Sequence, residues 1–176
     1  MTDTQNDSIG FLTVLEIDDL GFCGGLLILN SLGRPLEFHC TVPVSTNRAQ
    51  KILYGPTLRS FLFNEKIGMS LYHKAKKKPQ VLVTNLAEFL QLESLVNVAV
   101  VQLSDKEETS HAATVTEASP KLKHLNIAEQ KLITNSDIAH DSAIADLLSS
   151  FSVILPLSEP FGRISEAIME AQAVAR

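Results

Sequence analysis

The sequence predicts an α/β (α+β) domain: a mainly antiparallel sheet opening with a three-strand meander, packed by a long central helix and a C-terminal helix. Three observations predict it. Residues 11–44 alternate β-rich runs with polar glycine turns. Residues 56–77 place apolar side chains at helical spacing on two faces. Short continuous apolar runs then follow, separated by helical turns, as in buried strands covered by helices. With 176 residues, one domain over 9–176 behind a fraying polar tail over 1–8 is expected.

The first strand is Phe11 to Ile17, and Asp18-Asp19-Leu20-Gly21 turns it into a hairpin. The hairpin, GFCGGLLILNSLGRPLEFHCTVPV, folds on Asn30-Ser31-Leu32-Gly33, which fits a type I turn closed by a glycine bulge. Asn30 then pairs with Arg34, and the predicted core face holds Ile28 with Leu36, Leu26 with Phe38, Gly24 with Cys40 and Phe22 with Val42. The other face carries Cys23, Gly25, Leu27 and Leu29 against Thr41, His39, Glu37 and Pro35. A slip of one residue would exchange the faces. Gly24 and Gly25 suit a place where bulky groups come close to the strand.

Asn47 to Tyr54 reads as a short helix broken by Gly55-Pro56. The long helix runs from Pro56 to about Lys77. One stripe is Leu58, Phe61, Leu62, Met69 and Tyr72, with Glu65 and Gly68 inside it; a second is Phe63, Ile67 and Leu71. Lys74, Lys76, Lys77 and Lys78 complement the helix end, or offer a surface for an acidic partner or anionic lipid, and Pro79 stops the helix. Val81 to Thr84 is a strand, Asn85 caps a short helix from Leu86 to Leu92, and Val98 to Leu103 is a further strand. An acidic loop (104–110), a strand at Ala113 to Glu117 and a strand at Lys131 to Thr134 are expected. Asp141 caps a helix to about Ser150 with Ile144, Leu147, Leu148 and Phe151 inward. Residues 152–156 are extended, and Ser158 and Pro160 open the last helix, with Phe161, Ile164, Ile168 and Ala171 inward.

GGLLILNSLGRPLEF resembles the hairpin of roadblock and longin domains, small α/β scaffolds, over about twenty residues. GRPLEFHCTVPV, NRAQKILYGPTL and EPFGRISEAI are similar to segments of uncharacterised bacterial hypothetical proteins, a resemblance that implies no activity and no site residue.

The net charge of −5 argues against general binding to nucleic-acid phosphates. Residues 1–88 hold nine Lys/Arg and eight Asp/Glu, and residues 89–176 hold six and twelve, so the acidity sits in the second half. No apolar run is long enough for a membrane span, so no membrane partner is expected. The N-terminus lacks the layout of a signal peptide, so a cytoplasmic location is expected. The faces assigned above put Cys23 and Cys40 on opposite sides, as two free thiols. The five histidines show no HxxxH spacing, the cysteines no CxxC, and no phosphate-binding glycine motif follows a strand, so neither metal nor cofactor is expected.

Cys23, His39 and Glu37 share a predicted face, with Cys23 and His39 as diagonal neighbours roughly 7–8 Å apart at the backbone. An imidazole there would activate the thiol for a small hydrolase or transferase. The alternative is a packed thiol beside a hydrogen-bonded histidine. Glu65, inside an apolar stripe, is a candidate acid–base group if buried, or the partner of Arg48 or Lys51. Phe63, Ile67 and Leu71 form a candidate interaction face, because a helix apolar on two sides is either enclosed or shared. The reading drawn from these features is a non-enzymatic interaction or scaffolding module. It would bind a protein partner or itself as a homodimer, with no nucleic acid expected. The alternatives are the cysteine enzyme and a small-ligand sensor with its pocket between hairpin and long helix.

Overall fold

The computed structural model describes residues 7–104, 122–135 and 142–175. β1 (Ser8–Ile17), β2 (Gly21–Asn30) and β3 (Pro35–Cys40) form the expected antiparallel meander. A helical layer follows. It comprises α1 (Arg48–Tyr54), a 3-10 turn (Gly55–Thr57), α2 (Leu58–Phe61), a π-helical segment (Leu62–Gly68) and α3 (Met69–Lys74). β4 (Val81–Thr84), a 3-10 turn (Ala87–Gln91), α4 (Leu92–Val96) and β5 (Ala99–Ser104) come next. A hairpin of β6 (Lys123–Ile127) and β7 (Gln130–Thr134) and the helices α5 (Ser142–Ile154) and α6 (Glu159–Val174) complete it.

The strands form one sheet in the order β3-β2-β1-β4-β5-β7-β6. It is mixed rather than mainly antiparallel: β4 pairs in parallel with both β1 and β5, while the other pairs are antiparallel. β4 and β5 are apolar on both sides because helices cover both faces of the sheet. α5 and α6 pack one face through Phe151, Phe161, Ile164 and Ile168; the central helical layer packs the other through Phe63, Ile67, Leu71 and Phe89. Among the described residues no single helix is long and apolar enough to cross a membrane.

The tight turn forms as its residues dictate. Asn30 N donates to Arg34 O at 3.0 Å, Asn30 Oδ1 accepts from Leu32 N and Arg34 N, and Gly33 takes φ +75°. The predicted register then fails two residues on. Leu29 pairs with Pro35 but Ile28 pairs with Glu37, leaving Leu36 as an extra residue in a bulge. Beyond it Leu27 faces Phe38 and Leu26 faces His39, so Leu26 and Phe38 lie on opposite faces. Gly25 faces Cys40, which puts Cys40 on the same side as Cys23; both thiols are free.

Other expectations also change. The long helix ends at Lys74 and includes a π-helical stretch. Residues 152–154 continue α5. Ala171 is exposed. The unforeseen β6 turns into β7 through Ala128 and Glu129, both left-handed at φ 46° and 66°. The expected strand at 113–117, the acidic loop after Ser104 and the Asp141 cap lie outside the described residues, as does most of the expected tail.

Candidate functional site

The chain leaves β1 toward β2 on one side and returns as β4 on the other, so the carboxyl ends of β1 and β4 flank a topological switch point. In sheets of this kind ligands bind in the crevice outside such ends. The last β1–β4 pair is Leu12 with Thr84, and one residue beyond it Thr13 Oγ1 donates to Asn85 Oδ1 at 2.7 Å. Asn85 therefore serves a contact to β1, and the following turn is closed by Leu86 N donating to Thr84 Oγ1. Thr13 and Asn85 are neutral oxygen and amide groups. Among the described residues no three of His, Cys, Asp and Glu stand close enough to hold a metal ion.

The start of the central helical layer and the turn that follows β4, Ala87–Gln91, line an open cavity of about 530 Å³, with Tyr54, Phe61, Asn64, Glu65, Gln91 and Ser94 among its walls. Tyr54 and Phe61 stack with ring centroids 4.4 Å apart, and Lys66 Nζ lies 5.6 Å from the Phe61 ring. Asn64 is 3% exposed. Its Nδ2 donates to Ser60 O at 2.9 Å and Glu88 O at 2.8 Å, which fixes the amide's orientation. Its Oδ1 is buried and has no hydrogen-bond partner among the described residues. Ser60 Oγ donates to Gln91 Oε1 at 2.8 Å, which turns the Gln91 NH2 away from Ser60. The cavity lining thus combines two stacked aromatic rings with amide side chains, and one of these, Asn64, is buried with an unmet acceptor. Asn64 sits in the π-helical segment, a local geometry frequent at functional sites.

The same layer concentrates charge. Residues 48–78 contain eight Lys/Arg against one Asp/Glu, and all eight basic side chains are exposed. Arg59 pairs with Glu88 and lies 4.7 Å from the Phe63 ring centroid. On the opposite layer, Ser142 to Val174 contains Asp146, Glu159, Glu166 and Glu170 against Arg163 alone. The net charge of −5 thus conceals a basic helical stretch on one layer opposite an acidic one on the other.

The residues singled out in the sequence are not brought together. Cys23 is fully buried on the α6 side, where Sγ donates to Thr41 O at 2.9 Å and accepts from Gln172 Nε2 at 3.6 Å; burial pushes its thiol pKa up. His39 and Glu37, displaced by the Leu36 bulge, face the other side. Glu37 accepts from His39 Nε2 at 2.8 Å, Lys76 N at 3.0 Å and Lys77 N at 2.6 Å. The hydrogen bond from His39 and then those backbone N–H groups hold its carboxyl at about 2. Cys23 and His39 therefore form no thiol–imidazole pair. Glu65 is exposed at the cavity rim, not buried in an apolar stripe.

Phe63, Ile67 and Leu71 are 1%, 0% and 0% exposed, pressed onto β1 and β2. Baring them for a partner would forfeit about 1.5–3 kcal/mol each. Sequence reasoning missed Thr13, Tyr54, Asn64 and Gln91. The one available signal was Asn64, a polar residue directly after the apolar run Phe61 to Phe63 and on the helix that buries it.

No protein-family profile matches the chain, and no curated protein sequence does. Solved structures do. Endonuclease V from Streptomyces avermitilis matches with a TM-score of 0.60 at 12% identity, over 97% of this chain and 83% of that one. The catalytic domain of human Endonuclease V matches at 0.52 and 13%, over 98% and 89%. Endonuclease V from Ciona intestinalis, in complex with a 24mer DNA containing an inosine followed by a ribo-adenosine, matches at 0.54 and 9%, over 94% and 87%. These likenesses corrected two expectations, the non-enzymatic scaffold with a protein partner or second copy and the absence of nucleic acid. The supposed interaction face is interior, and the fold is shared with nucleases, one of them holding DNA. At this level of identity the finding is one of fold: this chain has the fold of Endonuclease V.

Proposed function

We propose that this protein acts on nucleic acid, laying a strand along the basic helical layer and drawing an unstacked base into the cavity beside Asn64. The observation that carries the reading is the concentration of eight exposed Lys/Arg against one Asp/Glu in residues 48–78, on a fold shared with Endonuclease V. A basic layer is the electrostatic footprint of phosphate binding. Aromatic side chains interleaved with it, here Tyr54 and Phe61, are what a single strand stacks on. The edge of an unpaired base presents donor and acceptor together, the kind of partner that amide side chains such as Asn64 and Gln91 in the cavity lining take.

Phosphodiester hydrolysis by bound divalent ions needs carboxylate ligands. Thr13 and Asn85 are not such ligands, so no hydrolytic step is assigned to them. A cytoplasmic location belongs to the same proposal, supported by the two free thiols.

The test is equilibrium binding of a labelled single strand, a duplex and a mismatched duplex at several salt concentrations, with strand cleavage followed in parallel with and without magnesium. Binding that weakens steeply with salt and favours unpaired strands is expected. No binding at low salt would overturn the proposal. In wild-type protein that does bind, Tyr54→Ala should lower single-strand affinity about tenfold, from a stacking contribution of about 1–3 kcal/mol per base.

A further inference from the structure

Glu37 lies in a setting that its own charge does not explain. It stands in β3 beside four lysines, yet its carboxylate accepts from none of their ammonium groups and from the backbone N–H of Lys76 and Lys77 instead. Lys78 is engaged elsewhere: its ammonium donates to Tyr72 O and lies 4.4 Å from the Tyr72 ring centroid. Lys74, Lys76 and Lys77 remain exposed, with no ion pair among the described residues. The loop is pinned on both sides, because Gln80 N donates to Ser8 O at 3.0 Å just after it and Ala75 is buried just before it.

We propose that this Glu37-held lysine loop is a second phosphate-backbone site, remote from the crevice, and that Glu37 is its positioning residue. The inference rests on the nucleic-acid reading above, which counts these lysines among its eight, and deepens it by giving the track a far end and Glu37 a role there. The loop leads into the amino end of β4, whereas Thr13 and Asn85 mark the carboxyl end. Leu58 to Lys74, the 17 residues of α2, the π-helical segment and α3, connect the two ends. At 1.5 Å per residue that is roughly 25 Å. At the 3.4 Å per phosphate that one strand keeps along a duplex axis it corresponds to about seven nucleotides, and an extended single strand covers it with fewer. Arg59 and Lys66 are exposed along the way. Charge complementarity over that length selects a phosphodiester chain; a lipid surface would call for apolar side chains beside the lysines, and Ala75 and Pro79 there are buried.

The experiment compares strands of four and twelve nucleotides on the full chain. Replacing Lys76→Ala and Lys77→Ala together should leave the four-nucleotide strand's affinity unchanged. For the twelve-nucleotide strand it should lower the salt slope by about 1.4, two single-strand contacts at about 0.7 each. Glu37→Gln gives a test by sign. If Glu37 only repels a polyanion, removing its charge tightens binding of the longer strand. If it positions the loop, binding of the longer strand weakens, with the four-nucleotide strand unaffected and the melting temperature recorded as the folding control.

Tighter binding by Glu37→Gln, or an unchanged slope in the double lysine variant, overturns the inference while leaving the reading of the cavity beside Asn64 standing. Failure of wild-type protein to bind either length at low salt overturns both. Lysine-dependent binding to phosphatidylserine–phosphatidylcholine vesicles without any dependence on strand length would assign the loop to a membrane and overturn it as well.

Discussion

Two adjacent glycines set how closely the helices approach the sheet. A Cβ on Gly24 would come 2.1 Å from Ile67 Cγ2, and one on Gly25 would come 2.4 Å from Ile164 Cγ2. Successive residues point to opposite faces, so each glycine admits one layer. Gly24→Ala should destabilise the fold by about 1–3 kcal/mol, the usual range for overpacking. Ile67→Ala alone should cost about 2–5 kcal/mol through its cavity. Because the added methyl would occupy the space vacated, the double variant should cost less than the sum of the two. A urea-denaturation cycle measures that coupling, and strict additivity would show that the contact does not set the spacing.

Glu37 makes a separate prediction. Its carboxyl titrates at about 2 against an ordinary 4.5, so it contributes stability that is present above pH 4.5 and lost as the pH falls toward 2. Glu37→Gln should flatten the acid limb of the stability–pH curve in that window. An identical limb in both proteins would contradict the linkage.

At the scale of elements, what could be read in the sequence was what short-range chemistry decides. The Asn30–Gly33 turn was legible because the Asn30 side chain and a left-handed Gly33 close it within five residues. The Leu36 bulge was not, because a bulge answers to packing across the sheet, and from it came the false pairing of Cys23 with His39. The turn at Ala128 and Glu129 carries none of the glycine or asparagine that marks a left-handed pair.

The two apolar stripes of the central helix were seen, and of the two readings they allowed, enclosed or shared, the structure has the enclosed one. Phe63, Ile67 and Leu71 face the sheet, and the π-helical segment rotates Asn64 inward to hold Glu88 O. Asn64→Ala should therefore cost about 1–3 kcal/mol by leaving buried carbonyls without their donor. It should also remove the preference for unpaired strands. Loss of stability with that preference intact would reduce Asn64 to a structural role.

At the scale of the whole molecule, the arrangement of charge matters more than its sum. The sheet separates a helical layer of eight Lys/Arg, with Glu65, Glu88 and Glu93 among them, from one whose helices carry four acidic residues and a single arginine. A polyanion docked on such a molecule has one favourable side, because the repulsive layer is screened only beyond about a Debye length, about 10 Å at 0.1 M salt. Chemical footprinting of lysines reads that orientation directly. With a bound strand, Lys66, Lys74, Lys76 and Lys77 on the basic layer should lose reactivity. Lys123 and Lys131, on the β6–β7 hairpin at the far edge of the sheet, should keep theirs. Raising the salt should restore the first group in step with the fall in affinity, since both report the same released counterions. Protection spread evenly over both groups would mean that the strand does not follow the helical layer, and the assignment of that layer as its track would fall.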